Sequence, residues 1–332
     1  MKVLLTGHTG FKGSWLTLML KQKGHNVYGI SLDPNVDSLF KEAEISKYLS
    51  RDSRIDIRNR DLLSAEIESV NPDVIIHLAA QSLVRESYLN PVSTFETNII
   101  GTLNVLESTR RISNLRATLI ITTDKVYKNK GQVQGYLTSD ELGGSDPYSV
   151  SKAAADLLTQ SWRSSFGTTP ISIARAGNVI GGGDWAKERL VPDTMRAILG
   201  RSELFLRYPE SIRPWQHVLD CLNGYLELLE SQIERGTQGE WNFGPKESDV
   251  LNVSELVKRF CSQLGTELTI KTGEKTHHEE ALLLLDSNLT RQELNWTEKL
   301  DLQSAIEWTA DWYRHLDKVK ITLLQVESFL AK

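Results

Sequence analysis

Along the first half of the chain, short runs of consecutive apolar residues alternate with longer stretches in which apolar positions recur every three or four residues. Residues 2–6, 26–31, 73–80, 117–123 and 170–175 are of the first kind and are expected as strands. Residues 13–23, 91–111 and 148–166 are of the second kind and are expected as helices, with Pro91 suited to a first turn. The run 73–80 follows Asn71-Pro72 and is apolar without alternation, the pattern of a strand covered on both faces. Such strand–helix alternation predicts an α/β fold with a Rossmann-type doubly wound parallel sheet, whose ligands gather at the carboxyl ends of the strands.

Beyond residue 176 the pattern loosens. Gly181-Gly182-Gly183, Pro192, Pro209 and Pro214 punctuate it, as suits a smaller mixed α/β lobe. A helix over 218–233 and a strand over 240–243 that returns to the first sheet are expected. The domain organisation is therefore a Rossmann domain over 1–175, with returning segments near 215–245, and a substrate lobe over 176–332. Residues 41–60 mix charges without a clear period and define no element.

Composition narrows the class. The chain has 332 residues, 40% hydrophobic and 24% charged, which leaves no room for extended disorder. A net charge of -5 argues against a nucleic-acid partner. The opening apolar run stops after three residues and lysines follow, so a buried strand is expected there rather than a secretion signal. No apolar stretch reaches the roughly 18–20 residues that a membrane span needs. Two cysteines, Cys221 and Cys261, make neither a disulfide framework nor a Cys-rich metal site, so a reduced cytoplasm is the expected compartment.

Candidate chemistry begins at Thr6-Gly7-His8-Thr9-Gly10-Phe11-Lys12-Gly13, glycines spaced GxxGxxG between a strand and a helix. Glycine lets the backbone approach a pyrophosphate, and the helix start offers unpaired N–H groups. Asp33 follows the second strand, where an acid can accept hydrogen bonds from ribose hydroxyls and repel a 2′-phosphate; this favours NAD over NADP. Asp33 before Pro34 also suits a turn, and that alternative stays open. Further on, Tyr148 and Lys152 stand at i and i+4 on one helix face. A phenol is a poor base at neutral pH, and a nearby ammonium and a nicotinamide cation would favour its phenolate.

These motifs resemble the extended short-chain dehydrogenase/reductase superfamily. So do Asp56-Ile57, which there contacts adenine, His77-Leu78-Ala79-Ala80, and the helix start Asn98-Ile99-Ile100-Gly101-Thr102. The resemblance implies NAD held by Gly7, His8, Gly10, Phe11, Lys12, Gly13, Asp33, Asp56, Ile57, Ala79, Ala80, Tyr148 and Lys152. Thr122-Thr123-Asp124-Lys125-Val126-Tyr127 narrows it further. Sugar-nucleotide 4-epimerases of the superfamily share only the hydroxyl, Thr123, whereas 4,6-dehydratases add an acid and then a Glu; here Lys125 takes the Glu position. That lysine, His8 in the glycine turn, the segments 175–185 and 212–218, Leu285-Asp286 and Trp296 resemble the CDP-glucose 4,6-dehydratase family.

The resemblance implies a catalytic set of Thr123, Asp124, Lys125, Tyr148 and Lys152 acting on CDP-glucose. Tyr148 would deprotonate the C4 hydroxyl during oxidation, Lys125 would take the C5 proton, and Asp124 would protonate the departing C6 hydroxyl. Lys125 must then be neutral, which burial, Lys152 and the cofactor's charge would favour; a role in stabilising the enolate is the alternative. Arg85, Asn178, Arg189, Arg213 and Asn242 are the implied substrate-binding residues. Trp185 and Trp215 either wall the nucleotide pocket or fill the core. His277-His278-Glu279-Glu280 reads as a polar loop and not a metal site. Relatives pair through two long helices, here 91–111 and 148–166, so a homodimer is implied.

Overall fold

The computed structural model describes residues 1–246, 249–273 and 283–332. Its strands, in chain order among the described residues, are β1 Lys2–Thr6, β2 Asn26–Ser31, β3 Arg51–Arg54, β4 Val74–His77, β5 Ala117–Ile121, β6 Ile171–Ala176, β7 Asn178–Ile180, β8 Leu204–Leu206, β9 Ile212–His217, β10 Gly239–Phe243, β11 Val250–Asn252 and β12 Ile270–Thr272. Seven of them form one parallel sheet in the order β10-β6-β5-β4-β1-β2-β3. The strand order reverses between β1 and β4, so the crevice beyond their carboxyl ends is the place where such a sheet takes a ligand.

The lack of alternation in the strands has a direct packing cause. Along β1, Val3 and Leu5 join a large core on one face, while Leu4 joins a second core on the other with Ile30 and Ile75. All three are fully buried. A sheet covered by helices on both faces needs apolar residues at every position. The helices Phe11–Gln22 and Val218–Arg235 pack on the face of the larger core.

The strand expected at 240–243 is observed as β10, paired parallel with β6 at the sheet's edge. Two expected strands end early. β4 stops at His77 and β5 at Ile121, and the residues after them leave the sheet to line the cleft described below. The region 41–60 contains an element that polarity concealed: β3 is an edge strand of sequence Arg-Asp-Ser-Arg, largely exposed and paired only with β2. The helix expected over 91–111 is one helical run containing a π-helical stretch, Glu96–Ile100, between Pro91–Phe95 and Gly101–Thr109. Two small sheets, β11-β9-β7 and β12-β8, build the smaller lobe.

Candidate active site

The carboxyl ends of β1, β4, β5 and β6 open on one cleft of about 860 Å³, lined also by residues of β8 and β9. At the end of β1 the chain turns through Gly7, at φ +78°, into the helix Phe11–Gln22. A Cβ on Gly13 would lie 2.3 Å from the carbonyl oxygen of Gly7, and one on Gly7 would lie 2.7 Å from the amide of Ala79. The turn is that tight because three backbone segments meet there. No side chain caps the helix that follows, so its first-turn N–H groups face the cleft beside Gly10, Phe11, Lys12 and Gly13. This is a cradle for a pyrophosphate. Asp56, Ile57, Ala79 and Ala80 line the same half of the cleft. The Asp56 carboxylate is held by the guanidinium of Arg58, whose Nε donates to Oδ2 at 3.0 Å, and this hydrogen bonding keeps it below the usual carboxylate range. The residues present therefore fit a dinucleotide.

At the end of β5, Thr123 caps a short 3₁₀ turn, Asp124–Val126, its hydroxyl accepting from the amide of Lys125 at 3.4 Å. The same hydroxyl donates to Asp124 Oδ1 at 2.9 Å. Asp124 is buried and Lys125 half-buried, and both line the cleft. Burial raises the Asp124 carboxyl, while Lys125, the Thr123 hydroxyl and Arg213 act to lower it. A carboxyl so raised is suited to carry a proton it can donate.

The helix Pro147–Phe166 begins at Asp146, whose carboxylate accepts from Ser149 N at 3.0 Å, with proline in the first turn. Its first turns place Tyr148 and Lys152 in the cleft opposite Thr123. The Lys152 ammonium donates to the carbonyl of Ile121 at 2.8 Å. Burial draws it from its ordinary 10.5 down to about 8; Asp156 opposes that shift and Lys12 adds to it. The phenol of Tyr148 differs from expectation. Burial pushes it up to about 12, against the hydrogen bond it shares with Thr123; Asp124 also raises it and Arg189 opposes. Among the described residues, no group brings the phenolate into the neutral range.

Of the residues expected to meet substrate, Arg85, Asn178, Arg189 and Arg213 line the cleft. Arg85 Nη1 donates to Glu188 Oε1 at 2.9 Å, and Arg189 Nη1 to Asp184 Oδ2 at 3.0 Å. Asn242 is a correction. It is wholly buried in β10, accepts from the Tyr127 hydroxyl at 2.7 Å and donates to the carbonyls of Tyr136 and Asp286, so its amide is spent inside the protein. His8 and Asp33 also fall outside the cleft lining. The imidazole of His8 is buried under β2, with Nε2 2.7 Å from Asp52 Oδ1, and the exposed Asp33 carboxylate lies 3.3 Å from Arg54 Nε. In both cases a charged neighbour on β3 holds the side chain.

Trp215 lines the cleft, its Nε1 donating to Leu251 O at 3.2 Å, whereas Trp185 packs edge-on against Tyr313 and donates to Glu42 at 2.9 Å. The His277–Glu280 segment lies outside the described residues. Cys221 and Cys261 are both buried free thiols. Sequence reasoning missed Gln81, Ser82, Glu188, Arg207 and Tyr208, which also line the cleft. Gln81 and Ser82 follow directly on the His77–Ala80 motif, and that position beyond a strand end was the available signal.

Residues 3–244 match the NAD dependent epimerase/dehydratase family. The chain is similar to the CDP-glucose 4,6-dehydratase of Salmonella typhimurium, 37% identical over 99% of this chain and 96% of that protein. Among solved structures it resembles a UDP-glucose 4-epimerase from Bifidobacterium longum in complex with NAD+ and UDP, with TM-score 0.85, 20% identity and coverage of 96% of this chain and 100% of that one. A dTDP-glucose 4,6-dehydratase from Bacillus anthracis in complex with NAD matches at TM-score 0.80 and 22% identity, covering 94% and 96%. At those identities the structural likeness speaks for the fold.

Proposed function

The chain belongs to the NAD dependent epimerase/dehydratase family, and on that premise we propose that it converts CDP-D-glucose to CDP-4-dehydro-6-deoxy-D-glucose. It is an NAD-dependent hydro-lyase acting on a sugar nucleotide. The carrying observation is that Asp124 and Lys125, the pair an epimerase lacks, line the same cleft as Thr123 and Tyr148.

In this reading Gly7, Gly10, Phe11, Lys12, Gly13, Asp56, Ile57, Ala79 and Ala80 hold NAD. Bound NAD supplies a hydride acceptor at the start of the cycle and a donor at its end, and its nicotinamide charge favours the phenolate of Tyr148. Tyr148, oriented by Thr123, takes the proton of the C4 hydroxyl as C4 is oxidised. The resulting ketone acidifies C5. Lys125 takes the C5 proton, the C6–O bond breaks, and the proton of Asp124 leaves with that oxygen as water. Asn178, Arg189 and Arg213 meet the diphosphate with charge-assisted hydrogen bonds, and Arg85 stands at the same wall.

Residues 1–175, with returning segments near 215–245, take the cofactor, and 176–332 take the substrate. A homodimer is part of the proposal, supported by Val92, Ile100, Val150, Leu157 and Phe166, all exposed on the two helical runs expected to pair. So is a cytoplasmic location, supported by two free thiols and by the absence, among the described residues, of a helix long and apolar enough to cross a membrane.

The test is incubation with CDP-glucose and NAD, followed by the alkaline ultraviolet absorbance of a 4-keto-6-deoxy product. UDP- and dTDP-glucose run alongside; product from either in preference to CDP-glucose defeats the cytidine assignment, and an epimerised sugar without that absorbance defeats dehydration. Lys125→Met is expected to leave C4 oxidation measurable while abolishing solvent-deuterium exchange at C5. Retained exchange removes Lys125 from the base role.

A further inference from the structure

Beneath the catalytic groups lies a fully buried ion pair that no step above uses. Arg175 on β6 is 1% exposed and Asp156, on the helix Pro147–Phe166, is 0% exposed. Arg175 donates from Nε to Asp156 Oδ2 at 2.9 Å and from Nη2 to Oδ1 at 2.8 Å. Its Nη1 donates to the Tyr127 hydroxyl at 2.8 Å and to Thr138 O at 2.9 Å. Asp156 Oδ2 also accepts from the Thr122 hydroxyl at 3.0 Å. Gln160 Nε2 donates to Asp156 Oδ1 at 2.8 Å, and the contacts to Thr122, Tyr127 and the helix of Asp156 join segments that carry chemistry. Thr122 immediately precedes Thr123, Tyr127 immediately follows the turn Asp124–Val126, and Asp156 stands one helical turn beyond Lys152 on the same face.

Stability does not account for such a pair. Taking both charges out of water offsets much of their mutual attraction, and apolar residues of similar volume commonly hold such a place as well. An apolar filling would not fix orientation, whereas a guanidinium fork on a carboxylate fixes distance and angle together. We propose that Arg175 is a positioning residue for the elimination step, setting the Thr123–Lys125 turn against the helix of Tyr148 and Lys152. This rests on the dehydration reading. Oxidation at C4 draws on Tyr148 and Lys152, whose backbone sits on its own helix, and takes only the Thr123 hydroxyl from the turn. Elimination needs the Lys125 amine at the C5 proton and the Asp124 carboxyl at the C6 oxygen simultaneously, and both ride on a turn tethered through Thr122 and Tyr127.

Tyr127→Phe tests this with little loss of packing. The ring keeps its stack on Tyr136 at 5.2 Å and its place under the guanidinium at 5.0 Å, and Arg175 Nη1 keeps Thr138 O. In single turnovers with CDP-glucose, the rate at which reduced nicotinamide appears is expected to stay at the wild-type value, while its decay slows. Deuterium entry at C5 and product formation are expected to fall about tenfold or more, the scale of a small misplacement of catalytic groups. Thr122→Val, which cuts the turn's other tether, is expected to give the same split. Equal loss of both steps, or loss of neither, in the folded variants overturns the proposal. A wild-type chain that never dehydrates CDP-glucose sinks the functional reading, whereas wild-type turnover without a split in either variant sinks only the positioning role.

Discussion

Asp124→Asn separates what the buried acid does for chemistry from what it costs the fold. The side chain is 4% exposed, and Thr123 Oγ1 donates to its Oδ1 at 2.9 Å, a contact that an asparagine carbonyl can accept unchanged. The loss is therefore chemical. A positioned general acid contributes about 10²–10⁴-fold. At about 1.4 kcal/mol per tenfold, Asn should raise the elimination barrier by about 3–5 kcal/mol. Stability should move the other way. Burial raises the Asp124 carboxyl above its ordinary 3.8, so the folded state holds the proton more tightly than the unfolded chain. As pH rises from the ordinary value through the raised one, the unfolded chain ionises first and folding loses free energy. At neutral pH the native protein carries that penalty and the Asn variant does not. Thermal unfolding at pH 7 should therefore place the variant above wild type, by about 1–2 °C for each kcal/mol recovered. The gap should close below pH 3.8, where both states are protonated. A variant that melts lower at pH 7, or one that forms product at the wild-type rate, refutes the reasoning.

Two further outcomes follow from the same geometry. Lys152 has its folded value drawn to about 8 from 10.5, so between those values the unfolded chain holds a proton that the folded one has released, and unfolding free energy rises with pH. Denaturant titrations at pH 8 and pH 10 should show that rise in wild type and a flatter response in Lys152→Met. Gly13→Ala would place a methyl group 2.3 Å from Gly7 O and 2.6 Å from His8 Cα, both backbone atoms that cannot swing aside. It should cost about 1–3 kcal/mol of stability, the usual scale of overpacking. NAD titrated by quenching of protein fluorescence should bind markedly more weakly, and wild-type affinity would refute the cradle.

What the sequence made legible, and what it hid, has one physical division. β1 and β2 were readable to the residue because a sheet buried on both faces writes its strands as apolar runs, and the motifs after β1, β4 and β5 fell in the cleft because parallel strands all deliver their carboxyl ends to the same edge. β3 has no apolar residue at all, so no periodicity could mark it; its backbone pairing with β2 is what makes it a strand. The same strand holds His8 and Asp33, since Asp52 and Arg54 engage them there.

Asn242, which only the resemblance implied, is held inside the protein by partners, Tyr127, Tyr136 and Asp286, that lie 115, 106 and 44 residues away in sequence. Arg175 was visible within a motif, yet its partner Asp156 is separated by 19 residues and a change of element. Spacing along a helix can announce Tyr148 and Lys152, because i and i+4 share a face whatever the fold. It can also place Asp156 on that face, at i+8. What it cannot supply is the identity of the group opposite, and for a buried carboxylate that group decides whether burial leaves the carboxyl raised, as at Asp124, or a guanidinium pairs with it, as at Asp156.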